Sequence, residues 1–162
     1  MQAKLLISDA NVIIDMEVGG LIKQMFRLDY EFAVPDVLYE TELKENHANL
    51  PKLGLRRLEL QPESVAYTVE LAARYRKPGR IDLMALALAK QEQCRLLTGD
   101  RALCDAGGAE GIEVVGTIWL IGEMLRAKIV TKKDARAAYN KMKESDRRLP
   151  WDEVDKQLKQ WR

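Results

Sequence analysis

Short apolar runs alternate with longer segments of helical periodicity along most of this chain. The strand-like runs are Lys4–Ser8, Phe32–Val34, Leu58–Leu60, Cys94–Thr98 and Ile112–Val115. Between them, apolar residues recur at the spacing of one helix face, as Leu21, Ile22 and Met25 do. This alternation is typical of α/β proteins and predicts a parallel sheet with helices on both faces.

Capping residues, prolines and glycines indicate where the helices begin and end. Asp36 is placed to cap one helix, and Pro62 begins another. After a break at Pro78-Gly79, Asp82 begins a helix that is apolar enough to be largely buried. The pair Gly107-Gly108 predicts a turn before the last strand.

The chain changes character after Val130. Thr131 to Asp134 has the spacing of a capping box, and Leu149 to Glu153 has the proline and acids of a second helix start. Up to Leu125 there are 14 Lys and Arg against 19 Asp and Glu, a net of −5, and from Arg126 onward 12 against 6, a net of +6. We therefore expect a main domain at 1–128 and a basic helical extension at 129–162 packed on it.

Composition restricts the class of protein. A chain of 162 residues with 47% hydrophobic and 31% charged content suits one compact domain and excludes disordered and collagen-like classes. No apolar stretch reaches the roughly 18 to 20 residues of a membrane span, and no signal-peptide pattern is present. We expect a cytoplasmic protein without a membrane partner.

Thiol, zinc and triad chemistry are disfavoured. Cys94 and Cys104 lack the paired spacing of a zinc or redox site. His47, the only histidine, lies in a polar segment without a nucleophile motif nearby. We interpret the two cysteines as small core residues and the histidine as a surface residue.

Carboxylates follow the apolar runs. Asp9 comes directly after the first run, Asp100 follows the fourth, and Asp82 opens the apolar helix. Glu40 and Glu42 come soon after the second run. The carboxyl ends of parallel strands meet at one edge, where α/β sheets place their ligands. Because clustered carboxylates repel one another without a cation between them, the pattern predicts bound Mg²⁺ or Mn²⁺.

Asp9, Asp82 and Asp100 each also have a purely structural interpretation as a helix cap. The choice between the two glutamates stays open. Residues two apart on a helix point about 200° apart, so we expect only one of Glu40 and Glu42 to face the metal. Glu40 is slightly favoured because it lies about one turn into its helix. Asn11 would orient Asp9 through its amide, and Thr98 would point its hydroxyl at the same site.

These residues lie in four segments that, together and in this order, resemble the PIN-domain family over about residues 4–125. The segments are Ser8-Asp9-Ala10-Asn11-Val12, Pro35 to Leu43, Asp82 to Ala89, and Leu97-Thr98-Gly99-Asp100. Within that family the chain resembles the prokaryotic branch that includes the VapC toxin ribonucleases. The Gly116-Thr117 helix entry and the helical tail resemble variants that carry a C-terminal extension.

The resemblance implies a three-layer α/β/α sandwich and a Mg²⁺- or Mn²⁺-dependent endoribonuclease that leaves 3′-hydroxyl and 5′-phosphate ends. The implied catalytic residues are Asp9, Glu40, Asp82 and Asp100, with Glu42 as a further candidate metal ligand and Asn11 and Thr98 in support. Residues that would position the RNA backbone are Arg101, Lys132, Lys133, Arg147 and Arg148.

Partners and alternatives follow from the same resemblance. A toxin role implies an antitoxin protein that covers the acidic cleft. A homodimer is suggested by the family and by the apolar residues Leu21, Met25 and Leu28. The main alternative is a catalytically inactive PIN-like module that binds RNA or protein. A receiver-like signalling module is disfavoured, because the last strand region, 112–117, contains no lysine.

Overall fold

The computed structural model describes residues 4–161 and contains a five-stranded parallel sheet. Its strands are β1 (Lys4–Ser8), β2 (Tyr30–Pro35), β3 (Arg56–Leu58), β4 (Arg95–Leu97) and β5 (Val114–Val115). In this part of the chain the strand order is β3-β2-β1-β4-β5, and every neighbouring pair is parallel. Strands β2 and β3 lie on one side of β1, and β4 and β5 lie on the other. The strand order therefore reverses at β1, and open α/β sheets form a ligand crevice at the carboxyl end of such a reversal.

Helical segments connect and follow these strands. They are α1 (Ala10–Val18), α2 (Ile22–Met25), α3 (Asp36–Leu38), α4 (Leu50–Leu53), α5 (Pro62–Arg74), α6 (Arg80–Gln91), α7 (Arg101–Ala109), α8 (Thr117–Arg126), α9 (Lys132–Glu144) and α10 (Trp151–Gln160). A π-helical turn at Tyr39–Leu43 directly continues α3. None of the helices in the described range is long and apolar enough to cross a membrane.

The sheet separates two hydrophobic cores. Successive side chains of a strand point to opposite faces, and accordingly Leu6 lies in one core while its neighbour Ile7 lies in the other. The first core contains residues of α1, α2, α8 and α9, and the second contains residues of α5, α6 and α7. Helices thus cover both faces, which confirms the predicted α/β/α sandwich.

The last two helices share the first core. Ala138 and Met142 of α9 and Val154 of α10 are buried there, against side chains of α1 and α8. The predicted capping box forms, because Thr131 Oγ1 accepts a 3.1 Å hydrogen bond from Asp134 N and Asp134 Oδ2 accepts a 2.9 Å bond from Thr131 N. The basic segment is therefore continuous with the body in its packing.

The prediction of a turn at Gly107-Gly108 is wrong, because both glycines lie inside α7. A Cβ on Gly107 would lie 2.7 Å from Val114 Cγ2 and 3.5 Å from Leu86 Cδ1. The missing side chain lets α7 approach β5 and α6 closely. Here glycine serves packing between elements rather than a change of chain direction.

Several element boundaries also differ from the prediction. A helix, α1, begins directly after β1, and the helix expected around Leu21 is the single turn α2. Asp82 is the third residue of α6, because Gly79 occupies the N-cap position. Strand β3 ends at Leu58, opposite Pro35, whereas the prediction started it there.

Leu21, Met25 and Leu28 do not form a dimerisation surface. They are 4%, 0% and 7% exposed and belong to the first core. Their apolar character is accounted for by packing within the chain, so they give no support to a homodimer.

Candidate active site

Asp9 lies at the carboxyl end of the central strand and is completely buried. Its backbone N–H donates a 3.0 Å hydrogen bond to Leu97 O of β4, and its Oδ1 accepts a 3.0 Å bond from Val12 N as the N-cap of α1. Burial is the main reason that the pKa of Asp9 rises to about 6. Hydrogen bonds from Thr98 and Val12 oppose this rise, and the negative charges of Asp82 and Asp15 contribute to it. The structural role as a cap and a chemical role at the sheet edge are therefore compatible.

Thr98 connects Asp9 with Asp100. Its hydroxyl donates to Asp9 Oδ2 and accepts a 3.1 Å hydrogen bond from Asp100 N. Asp100 in turn caps α7, because its Oδ1 accepts a 2.9 Å bond from Leu103 N. The hydroxyl therefore connects the acids that follow β1 and β4.

Asp82 is the carboxylate that the other acids share as a neighbour. Burial raises its pKa, the charge of Asp100 raises it further, and a hydrogen bond from Gly79 N opposes both. The charge of Asp82 also contributes to the raised pKa of Asp9 and of Glu42. Four acids from four different connections of the sheet therefore interact electrostatically at one edge.

The two glutamates have different charged neighbours. Glu40 Oε2 forms an exposed ion pair with Lys44 Nζ at 3.0 Å. Burial of the Glu42 carboxyl group, with the charge of Asp82, raises the pKa of Glu42. Because the charge of Asp82 acts on Glu42, while Glu40 pairs with Lys44, we favour Glu42 as the member of the acid cluster, whereas the sequence slightly favoured Glu40. Both glutamates lie in the π-helical turn at Tyr39–Leu43, so the α-helical spacing assumed in the sequence argument does not apply to them.

The side chains at this edge have the chemistry of ligands for a divalent cation, but they are too far apart to coordinate one. Carboxylate oxygens and a hydroxyl are the hard ligands that Mg²⁺ and Mn²⁺ prefer, and burial together with the charge of a neighbouring acid raises the pKa of Asp9, Glu42 and Asp82. Within residues 4–161, however, no group of three or more His, Cys, Asp or Glu side chains stands close enough together to hold a metal ion. A cation would have to draw these side chains inward.

Comparison with known proteins agrees with the fold. A family model described as a PIN domain matches residues 5–162. The chain belongs to the PIN-domain family. PIN domains are generally nucleases that use divalent metal ions, and the matched range includes α9 and α10 as well as the sheet. No curated protein shows significant similarity to the chain.

This PIN domain has a further acid near the site that the sequence analysis missed. Asp15 of α1 is 6% exposed; its Oδ1 accepts a 2.7 Å hydrogen bond from Arg147 Nε and its Oδ2 a 2.7 Å bond from Thr117 Oγ1. Arg147 Nη2 also donates to Asn11 O at 3.2 Å. The sequence did contain a signal, because Asp15 is the only polar residue from Val12 to Met16. A carboxylate buried among apolar residues requires a partner.

The predicted RNA-contacting residues fall into three groups. Arg101 and Arg148 are exposed and line a cleft beside Asp100. Arg147 is engaged with Asp15, so its first role is structural. Helix α8 begins near the acid edge and runs away from it for ten residues, or about 15 Å. Lys132 and Lys133 begin α9, which follows the far end of α8. The structure therefore does not bring these two lysines to Asp9.

Proposed function

We propose that this PIN domain is an endoribonuclease that hydrolyses RNA phosphodiester bonds with Mg²⁺ or Mn²⁺. The observation that carries the proposal is the placement of Asp9 and Asp100 at the carboxyl ends of β1 and β4, where the Thr98 hydroxyl hydrogen-bonds to both residues. Asp82 lies near enough for its charge to raise the pKa of Asp9 and of Glu42. Carboxylates held together in this way are stabilised by a cation. No nucleophilic side chain is needed for hydrolysis of this kind.

Asp9, Asp82, Asp100 and Glu42 are the residues proposed to hold the cation, with Glu40 as the less favoured glutamate. The bound cation would supply positive charge that activates a water molecule and stabilises the leaving oxygen. Thr98 fixes the orientation of Asp9 through its hydroxyl. Asn11 is exposed in the first turn of α1, and we propose that its amide contacts the substrate.

Arg101 and Arg148 are proposed to contact the RNA backbone, since exposed arginines beside an acidic site supply the charge that phosphates require. We also propose that the chain acts as the toxin of a toxin–antitoxin pair of the VapBC type, inhibited by an antitoxin segment over the acidic cleft. Its expected location is cytoplasmic. A homodimer remains an expectation from the resemblance.

The test is cleavage of a panel of single-stranded and structured RNAs by the purified chain with Mn²⁺, Mg²⁺ or EDTA. Asp9→Asn and Asp82→Asn should abolish metal-dependent cleavage. Asp29→Asn is the matched control, because Asp29 is exposed and precedes the amino end of β2, at the opposite edge of the sheet. Cleavage that persists in both site variants would contradict the proposal.

The alternative is a catalytically inactive module that binds RNA or protein. The observation in its favour is that the described residues contain no group of three acids at metal-binding distances. Binding of Mn²⁺ separates the two, since an inactive module has no need to bind it at this edge. An RNA panel left intact by a protein that binds RNA but no Mn²⁺ would establish the alternative.

A further inference from the structure

Two cavities adjoin each other at the acid edge, and Gly99 lines both. One has a volume of about 470 Å³ and the other about 320 Å³, and Arg148 and Asp15 also border the two. Both volumes lie in the range of roughly 300 to 1,000 Å³ that is usual for small-molecule sites. Residues of the loop between α9 and α10 line both cavities.

The larger cavity is polar and carries two arginines suited to a phosphate. It is lined by three acids and three arginines: Asp15, Asp100, Asp146, Arg101, Arg147 and Arg148. Arg147 and Asp15 neutralise each other, and Asp100 belongs to the acid cluster. Arg101 and Arg148 form no ion pair among residues 4–161, so they remain available to an anion. Asp100 and the exposed Asp146 line the same cavity and oppose that anion.

The smaller cavity is mostly apolar. Its walls include half-buried side chains of Cys104, Val115, Trp119 and Leu149. It lies beyond the carboxyl ends of β4 and β5, next to Thr98. Bases of single-stranded RNA are recognised by apolar and aromatic surfaces of this kind, while their phosphates are held by arginine.

We propose that these two cavities form one binding site for a nucleotide of the RNA strand, with its phosphate between Arg101 and Arg148 and its base in the apolar cavity beside Leu149. The proposal rests on the proposed ribonuclease function and adds a subsite to it. Arg147 is its positioning residue, because its bonds to Asp15 and Asn11 O hold the loop that carries Arg148 and Leu149. The base in this site would contribute to which RNA sequences are bound.

Gly99 offers a direct way to block this site. A Cβ at Gly99 meets no atom within 4 Å, so a larger side chain enters open space rather than the core. Gly99→Leu should therefore fold and fill the space between the cavities. Gly108→Leu is the matched control, because Gly108 also has no atom within 4 Å of its Cβ position and lies away from both cavities in α7.

The two free cysteines provide a readout that does not depend on cleavage. Cys104 lines the proposed base cavity, whereas Cys94 lines a separate cavity of about 640 Å³ with Lys4 and Glu113. In EDTA, a nucleoside monophosphate at about ten times its Kd should slow maleimide modification of Cys104 about tenfold and leave Cys94 unaffected. Inorganic phosphate should not protect Cys104, because it leaves the apolar cavity empty.

Protection should be lost in Gly99→Leu and kept in Gly108→Leu. Equilibrium dialysis of radiolabelled nucleoside monophosphate with the same variants repeats the comparison without relying on thiol reactivity. Equal protection of both cysteines, no binding, or binding unchanged in Gly99→Leu would overturn the proposal. Nucleotide binding is measured in EDTA without metal, whereas cleavage requires metal, so the two experiments can fail independently. Metal-dependent cleavage with no nucleotide binding would reject only the subsite.

Discussion

Arg147 Nε lies 2.7 Å from Asp15 Oδ1, and this pair fastens the loop between α9 and α10 to the helix that begins at Asp9. The carboxylate side chain is 9% exposed and the arginine 24%. A basic residue of the tail, expected from sequence to bind RNA, thus neutralises an acid of the body. The loop that borders the candidate site is held by this contact.

Removal of that arginine should destabilise the fold. Arg147→Ala leaves Asp15 buried with only Thr117 as a side-chain partner, and breaking a buried ion pair costs about 3 to 5 kcal/mol. Chemical denaturation measures the loss. Arg126→Ala is the control, because its pair with Glu123 is more exposed and should contribute about 1 kcal/mol or less. Equal losses in the two variants would show that the Asp15 pair has no special role.

Asp9→Asn should stabilise the metal-free protein above about pH 6. The pKa of Asp9 rises from 3.8 to about 6 on folding, so between these values the folded state keeps a proton that the unfolded chain has lost. Wild-type stability should fall as pH rises through this window, by up to about 3 kcal/mol. Asparagine keeps the N-cap acceptor for Val12 N and carries no charge.

Denaturation in EDTA at a series of pH values from 4 to 8 tests this prediction. The wild type should lose stability relative to Asp9→Asn as pH increases, and the difference should level off above about pH 6. A constant difference across the series would show that Asp9 is ionised in the folded state throughout.

Glu42 and Glu40 should differ strongly in their contribution to metal binding. Glu42→Gln removes a carboxylate that is coupled to Asp82, and we expect a loss of Mn²⁺ affinity of roughly 10- to 100-fold. Glu40→Gln removes only the exposed pair with Lys44 and should leave the affinity nearly unchanged. Isothermal titration calorimetry compares them, and the reverse order would return Glu40 to the site.

The glycines of α7 should respond in opposite ways to alanine. Gly107→Ala places a Cβ 2.7 Å from Val114 Cγ2 and should lower the free energy of unfolding by about 1 to 3 kcal/mol. Gly108→Ala meets no atom within 4 Å and should raise it by up to about 1 kcal/mol, since alanine favours helix. Thermal or denaturant unfolding of the pair measures both, and a stable Gly107→Ala would show that β5 yields to α7.

The parallel sheet and the position of three acids were predictable from local pattern. Asp9 and Asp100 follow strands and cap helices, and Asp82 lies in the first turn of an apolar helix, so short-range signals suffice for each. The helical phase at Glu40 and Glu42 was not predictable, because a π-turn depends on how α3 packs. The pairing of Asp15 with Arg147 was not predictable either, because these residues are 132 positions apart and meet only through tertiary folding.

Gly107 is a second position where long-range packing overrides a local sequence signal. Two adjacent glycines are a strong local signal for a turn, but here a close approach between α7 and β5 decides the conformation. Local signals therefore located the elements that carry the acids, while long-range packing determined which neighbouring side chains complete the site.

The central claim is that Asp82 and its neighbouring acids bind a divalent cation at the carboxyl edge of the sheet. Titration of the metal-free wild type with Mn²⁺, followed by electron paramagnetic resonance, tests it most directly, with Asp82→Asn and Asp29→Asn measured in parallel. We expect saturable binding in the wild type and in Asp29→Asn, and loss of binding in Asp82→Asn. Equal binding by all three proteins, or none by the wild type, would contradict the account.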